Sequence, residues 1–208
     1  MGHSGFLIKT KTHCIATDPY EFESSQEKAD IILISHSHFD HCDPKSINAI
    51  RTNDTVIIAP TDCSGKIGEN VEPLLPGEER DIQGLKIKAV EAYNDKRFRS
   101  RGVPFHPKGL GVGYLITIED KIIYHTGDTD FIPEMKQLGH IDVALIPTGG
   151  TYTMDNKDAA EATLEVNPNV AIPMHRWDTD PNEFRKSVES KSKTKVVILN
   201  KGETYQVA

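Results

Sequence analysis

The sequence has few cysteines, and none of them has the paired spacing that marks a disulfide framework. Cys14, Cys42 and Cys63 are odd in number and widely separated in a chain of 208 residues. The sequence contains no C-x-x-C motif, which argues against a disulfide scaffold. This cysteine usage is typical of a reducing compartment, so the cytoplasm is the expected location.

Long apolar runs and an excess of basic charge are also missing. No apolar run approaches membrane-spanning length, and residues 1–9 are too short and too mixed in character for a signal peptide. Lysine plus arginine number 24 against 31 acidic residues, which gives a formal net charge of -7. We therefore expect neither a membrane nor a stable nucleic-acid complex as a partner. The sequence leaves homo-oligomerisation open.

What the sequence does contain is a dense cluster of potential metal ligands after an apolar run. The run at residues 30–34 predicts a strand, and the loop that follows it supplies three imidazoles and one carboxylate, from His36, His38, Asp40 and His41. In an extended segment, residues two apart lie on the same side, so His36 and His38 can share one metal. Imidazole and carboxylate suit zinc, manganese, iron or nickel.

Further candidate ligands follow along the chain. Asp128 and His175 each come shortly after a strand-like run, and His106 lies in a Phe-His-Pro-Lys-Gly segment. His106 is the least certain, with His125 and His140 as competitors, although His125 is better explained as a core residue. His13 has no partner motif, and Cys42 is better explained as a small buried residue than as a ligand.

The rest of the chain indicates a layered α/β protein with one domain, residues 1–208. Caps and helical spacing predict helices over residues 44–51, 155–166 and 181–189, with Asp43 and Asp180 as N-caps. Short β-branched or alternating runs predict the strands, at residues 6–9, 14–17, 31–34, 56–59, 85–90, 114–118, 122–125, 143–146, 170–172 and 196–199. The strands at 114–118 and 122–125 are expected to form a hairpin around Glu119 and Asp120.

The pattern H-x-H-x-D-H, followed by a lone His, an Asp after a strand and a final His, resembles the metallo-β-lactamase superfamily. The resemblance covers nearly the whole chain. Residues 2–6, 111–116 and 147–154 narrow it to small metal-dependent hydrolases related to L-ascorbate-6-phosphate lactonase, with N-acyl-phosphatidylethanolamine phospholipase D more distant. In these relatives a short strand precedes the Gly-His pair, whereas here Met1 precedes it. The resemblance implies an αββα four-layer sandwich.

The resemblance also implies a site with two divalent metal ions, zinc being the favoured one. His36, His38 and His106 would hold the first ion, and Asp40, His41 and His175 the second. Asp128 would bridge them, together with a hydroxide nucleophile; Asp40 and Asp128 are the residues expected to be catalytic. Diiron oxygen-reducing members have Glu where this chain has His38, so hydrolysis is favoured over redox chemistry.

Several residues near the predicted ligands could contact the substrate. His3 could make such a contact or an ordinary structural hydrogen bond. Basic residues before His106 and beside two ligands could attract an anion, since guanidinium groups bind phosphate in bidentate fashion; they are Arg97, Arg99, Arg101, Lys108 and Arg176. The alternative for the run at residues 96–101 is a solvated loop.

The expected activity is hydrolysis of a small ester, lactone or phosphoester, with an anionic small-molecule substrate favoured. A phosphodiesterase or nuclease is a weaker alternative, because 208 residues leave little room for an added RNA-gripping arm. The third hypothesis is a non-catalytic metal-binding protein, and the complete set of seven predicted ligands argues against it.

Overall fold

The computed structural model describes residues 1–22, 27–68 and 71–207. The described residues divide into two compact units, Met1–Leu75 and Pro76–Ala208, which we call the N-terminal unit and the C-terminal unit. The expectation of one domain over residues 1–208 stays a prediction. No helix among the described residues combines the length and the apolar character needed to span a bilayer.

The N-terminal unit is built on a four-stranded sheet in the order β1-β2-β3-β4. The first pair is antiparallel and the other two pairs are parallel. The carboxyl ends of β2 and β3 therefore lie at the same edge of this sheet. The elements of the unit are β1 (Phe6–Lys9), β2 (Cys14–Thr17), β3 (Ile31–Leu33), α1 (Pro44–Ile50), β4 (Val56–Ile58), a 3-10 turn (Thr61–Cys63) and α2 (Ser64–Ile67).

Helix α1 begins where the sequence predicts, because Asp43 caps it and Pro44 takes its first position. The Asp43 side chain accepts hydrogen bonds from the backbone N–H groups of Lys45 and Ser46, an arrangement that stabilises a helix by about 1 kcal/mol. The helix packs into the core of the unit through Ile47 and Ile50, which are fully buried.

The C-terminal unit is built on a seven-stranded sheet in the order β13-β12-β11-β10-β9-β6-β5. Strands β10 to β13 are parallel and the pairs among β5, β6, β9 and β10 are antiparallel. The carboxyl ends of β10, β11 and β12 share one edge, a usual place for ligands in open α/β sheets. The strands are β5 (Glu79–Ile82), β6 (Leu85–Glu91), β7 (Phe98–Ser100), β8 (Val103–Pro104), β9 (Val112–Ile118), β10 (Lys121–His125), β11 (Val143–Pro147), β12 (Val170–Met174) and β13 (Lys195–Val196).

Two helices pack on this sheet through an apolar core. They are α3 (Asn156–Val166) and α4 (Pro181–Glu189), and a 3-10 turn spans Pro133–Gln137. Asp155 and Asp180 cap the two helices through their side chains. Buried residues of the helices join buried strand residues in one cluster, which includes Ala160, Phe184, Tyr124, Ile146 and Ala171.

The predicted β9–β10 hairpin is confirmed. Ile118 pairs with Lys121, and the two residues between them, Glu119 and Asp120, have φ angles of 47° and 64°. Two consecutive positive φ angles define the type I′ turn, whose twist suits a two-residue hairpin. The other predicted strands except the last, and the three predicted helices, are confirmed with boundary shifts of at most two residues.

The last strand is shorter than predicted, and a proline explains why. Val197 donates its N–H to the carbonyl of Ala171, so the next bond of the parallel ladder would need an N–H at residue 173. Pro173 has none. Strand β13 therefore ends at Val196 instead of running through residues 196–199.

Candidate functional site

In the N-terminal unit, the loop after β3 brings two imidazoles together. His36 and His38 approach with Nε2 and Nδ1 3.0 Å apart, and their rings are nearly perpendicular. Two nitrogen ligands of one tetrahedral zinc ion, each at about 2.0–2.1 Å, lie roughly 3.3 Å apart. The spacing of two residues thus produces the side-by-side arrangement that the sequence predicts.

A second group in the same unit consists of His3, Asp40 and His41. One donor atom from each lies within 4.8 Å of the others, and His3 Nε2 is 3.1 Å from Asp40 Oδ2. The structure therefore places His3 beside a predicted ligand. Its backbone has φ 57°, a conformation that is uncommon for a residue other than glycine.

Sequence reasoning missed Asp18, which orients two of the imidazoles. This fully buried carboxylate lies 2.7 Å from His41 Nδ1 and accepts hydrogen bonds from the backbone N–H and the hydroxyl of Ser35, each at 2.6 Å. Because the Ser35 hydroxyl donates to Asp18, its oxygen can accept from His36 Nδ1, 2.9 Å away. Both imidazoles then carry the proton on Nδ1 and present Nε2 as a ligand. The signal in the sequence was the position of Asp18, directly after a strand.

In the C-terminal unit, three predicted ligands meet at one carboxylate oxygen. Asp128 Oδ2 is 3.0 Å from His175 Nε2 and 3.4 Å from His106 Nε2. Asp128 follows β10 and His175 follows β12. All three residues are buried, and burial of polar groups is costly unless they are paired with one another or with a metal.

Asn94, also missed in the sequence, positions His106. Its side-chain oxygen accepts from the backbone N–H of His106 at 2.9 Å and from His106 Nδ1 at 2.8 Å, while the amide nitrogen donates to the carbonyl of Tyr152. A proton on Nδ1 leaves Nε2 of His106 as an acceptor facing Asp128. Nothing in the local sequence marks Asn94, which is twelve residues from the histidine it holds.

The backbone of His175 is held in an unusual conformation by close packing. Its φ is 48°, and such strain is typical of functional sites. Gly149 lies against it, because a Cβ at this position would meet the carbonyl oxygen of His175 and come within 2.7 Å of Trp177. Residue 149 must therefore be glycine if His175 is to keep this position.

The other histidines weighed as metal ligands, and His13, lie outside the clusters described above. His125 is fully buried in β10 and its Nδ1 accepts from the N–H of Gly127. His140 is exposed beside Asp142, and His13 bonds to its neighbour Thr12. Among the described residues, none of the three belongs to a cluster that could hold a metal. Cys42 is buried in the core of the N-terminal unit.

The guanidinium of Arg97 is bound by groups of the protein itself. Its guanidinium donates to Asp130 at 2.6 Å, to Asp158 at 2.8 Å and to the carbonyl of Gly150 at 2.7 Å. Burial opposes the charge, but the hydrogen bonds from Arg97 to the two carboxylates raise its pKa above the usual value. Two carboxylates therefore face the charge of Arg97, whereas its role toward a substrate stays a prediction. Residues 98–100 and 103–104 form strands β7 and β8, so the basic segment is a hairpin and not a loop.

The remaining basic residues differ in how exposed they are. Arg99 and Arg101 lie in the hairpin and are exposed. Lys108 is paired with Glu134 at 2.7 Å and lies over the ring of Tyr93, and the bond to Glu134 raises the pKa of its ammonium group. Arg176 donates to the carbonyl of Leu199.

Comparison with known proteins defines the class of this molecule. A family model described as the beta-lactamase superfamily domain matches residues 1–175. A candidate metal-dependent hydrolase from Parabacteroides distasonis has a solved structure with 35% identity and a TM-score of 0.87, covering 95% of this chain and 89% of that one. The chain belongs to the metallo-β-lactamase superfamily, and the predicted fold is confirmed.

The relatives also define the kind of activity. A UPF0173 metal-dependent hydrolase from Pelotomaculum thermopropionicum is 33% identical and aligns with 100% of this chain and 98% of its own length. Igni18, a metallo hydrolase from the archaeon Ignicoccus hospitalis, is 30% identical with a TM-score of 0.77 and covers 98% of this chain and 94% of its own. The protein is a metal-dependent hydrolase.

Proposed function

We propose that this hydrolase uses two divalent metal ions, zinc being favoured, to cleave a small ester, lactone or phosphoester with an anionic group. The proposed ligands of the first ion are His36, His38 and His106. Those of the second are Asp40, His41 and His175, and Asp128 is shared. The observation that carries this proposal is the approach of His106 and His175 to the same oxygen of Asp128.

The donor sets of both units fit such ions. The separations between donor atoms of the proposed ligands, 3.0, 3.0 and 3.4 Å, lie near the roughly 3.3 Å expected between two ligands of one tetrahedral ion. The set consists of imidazoles and carboxylates, which favours zinc over magnesium, an ion that prefers oxygen ligands and keeps its waters.

The side chains around the ligands prepare them for this chemistry. Asp18 and Ser35 fix the protons of His41 and His36 on Nδ1, and Asn94 does the same for His106. Such partners set ligand orientation and basicity, and their loss costs about 10–100-fold in metal affinity or activity. When bound, a pair of divalent ions supplies an activated water as nucleophile and polarises the substrate oxygen.

A hydrolysis screen tests the proposal. Zinc-loaded protein is expected to cleave at least one small lactone, carboxylic ester or phosphomonoester, and protein stripped by a chelator should not. Cleavage confined to RNA or bis-p-nitrophenyl phosphate would favour a phosphodiesterase instead. Absence of cleavage across all classes, at full zinc content, would contradict the proposed substrate range. The cytoplasmic location stays a prediction.

The exposed hairpin arginines are expected to attract the anionic substrate. The double variant Arg99→Gln/Arg101→Gln should raise KM at low salt and leave kcat unchanged, because exposed charges steer a ligand without touching the reacting bond. The difference should fade as salt rises, since the Debye length is about 8 Å at physiological ionic strength. Steady-state kinetics at several salt concentrations measure this effect.

The matched control removes the same charge elsewhere in the C-terminal unit. Lys191 and Lys193 are exposed, and Lys191→Gln/Lys193→Gln should leave KM unchanged. Zinc content is measured in both variants, because the hairpin precedes His106. An equal rise of KM in the two double variants would mean that net charge acts, and not the hairpin.

A further inference from the structure

Three aromatic residues of the C-terminal unit form a row that we call the aromatic row: Phe105, Tyr152 and Trp177. The rings of Phe105 and Tyr152 meet edge to face with centroids 4.8 Å apart. The rings of Tyr152 and Trp177 are tilted, with centroids 6.4 Å apart. Tyr152 is therefore in ring contact with a residue on each side, at separations that favour aromatic pairing.

The aromatic row is attached to the predicted metal ligands of the same unit. Phe105 directly precedes His106. The ring of Trp177 lies 5.7 Å from that of His175, nearly perpendicular to it. Asn94, which holds His106, also binds the carbonyl of Tyr152. The row thus lies beside two of the proposed metal ligands, His106 and His175.

Two members of the row are also exposed. Tyr152 and Trp177 are 40% and 55% accessible, and Phe105 is half-buried beside them. Phe39 and Phe98 are exposed as well, but neither lies in this row. Large exposed aromatic side chains that lie together mark binding sites more often than scattered ones do.

The backbone holds Trp177 in this exposed position. Its φ is 46°, an outlier for a bulky residue. The turn around it is fixed by Thr179, whose backbone N–H and hydroxyl both donate to the carbonyl of Arg176. Thr179 Oγ1 also lies 3.1 Å from the carbonyl of Thr148. A conformation that must be held by these contacts indicates that the position of the indole matters.

We propose that the aromatic row binds an aromatic ring of the substrate, placed next to the bond that is cleaved. This inference rests on the proposed function, since the reacting bond must lie at the ligands His106 and His175. A ring that packs on Tyr152 and Trp177 would bury apolar surface, and its edge could meet their faces as aromatic pairs do. The substrate class is therefore an aryl-bearing carboxylic or phosphoric acid derivative.

Binding of two carboxylates to zinc-loaded protein tests this inference. Phenylacetate and acetate carry the same charge and differ by the ring. Calorimetry is expected to show at least about tenfold tighter binding of phenylacetate, a factor that corresponds to 1.4 kcal/mol. Trp177 is the single tryptophan of the chain, so its fluorescence reports directly whether the ring arrives there. Phenylacetate should change this fluorescence and acetate should not.

Variants of Tyr152 locate the effect. Tyr152→Ala should lower the preference for phenylacetate by about fivefold to tenfold and leave acetate binding unchanged, because one aromatic contact is lost. Tyr152→Phe should keep the preference. Tyr205 is an aromatic residue of the same unit that contacts Lys195 instead, and Tyr205→Ala is the matched control. Thermal melts confirm folding, and Tyr152→Leu serves if the alanine variant is unstable.

Equal affinity for the two carboxylates, unchanged fluorescence, or the same preference in Tyr152→Ala would overturn the inference. These outcomes are independent of the hydrolysis screen. A protein that cleaves esters without discriminating rings contradicts only the aromatic row. A protein that binds phenylacetate in the predicted way but cleaves nothing contradicts only the proposed function.

Discussion

Asp128→Asn is expected to lower kcat/KM by about 10³-fold, the upper end of the loss that follows when one preorganised hydrogen-bond donor is removed from an enzyme site. The amide keeps the volume of the carboxylate but removes the charge that faces both His106 and His175. Zinc content should fall with activity, because the proposed shared ligand of both ions is weakened. Steady-state kinetics and elemental analysis of the purified variant measure the two effects.

Asp142→Asn is the control for the Asp128 variant. Asp142 is also a buried carboxylate of the C-terminal unit, but its side chain contacts the N–H of Ile122, Asn169, His140 and Lys121, none of which belongs to the proposed ligand set. Asp142→Asn should lower the free energy of unfolding by about 1–3 kcal/mol and leave zinc content unchanged. If Asp142→Asn loses zinc as Asp128→Asn does, general destabilisation explains both losses. Asp128 would then no longer be assigned as a metal ligand.

The loss of zinc affinity in Asp18→Asn should lie between the losses in Asp142→Asn and Asp128→Asn. It removes the charge that orients His41 without removing a ligand, so a loss of about 10–100-fold in zinc affinity is expected. Asp30 is the control in the N-terminal unit, because it accepts a backbone N–H from Cys14 at 2.7 Å and is not a partner of any predicted ligand among the described contacts. A competition titration with a chromogenic zinc chelator ranks the variants.

Metal removal is the second change with a large expected effect. Reconstituted protein should contain two zinc ions per chain, and chelation should abolish activity that added zinc restores. Zinc at 100 times its dissociation constant stabilises the folded state by about 2.7 kcal/mol. For a chain of this size that free energy corresponds to roughly 5–10 °C in the melting temperature, which calorimetry detects.

Magnesium is the control for this experiment. It prefers oxygen ligands in octahedral geometry, so it should give neither the thermal shift nor the activity. Full activity after chelation, or an absence of bound ions after reconstitution, would contradict the metal proposal. The number of zinc ions per chain tests the proposed role of Asp128. Two ions agree with a carboxylate shared by both, and one ion does not.

The sequence predicted the elements that carry a local signal. Helices α1 and α4 were recognised from Asp43 and Asp180, and these caps form as expected. Strand β5 was missed because the segment at residues 79–82 is mostly charged, which is common in strands at the edge of a sheet. The early end of β13 depends on Pro173, which lies in the neighbouring strand and gives no signal in the segment that it shortens.

A motif predicts the ligands, whereas no local signal predicts the residues that orient them. Asp18 and Asn94 are separated by 23 and 12 residues from the histidines that they hold, and only the fold joins them. The partners of Arg97 have no local signal for the same reason. Its carboxylate partners are 33 and 61 residues away, so a run of basic residues could not reveal that one of them is neutralised.

The contacts of Asn94 hold the predicted ligand His106 in place independently of the β7–β8 hairpin that precedes it. Asn94 donates its N–H to the carbonyl of His106 and accepts the N–H of His106 in return, so the chain enters and leaves the β7–β8 hairpin through one closed pair of residues. Doubling the length of such an excursion costs only about 0.6 kcal/mol in loop-closure entropy. The tip around Gly102 can therefore be lengthened, shortened or exchanged while His106 stays in place.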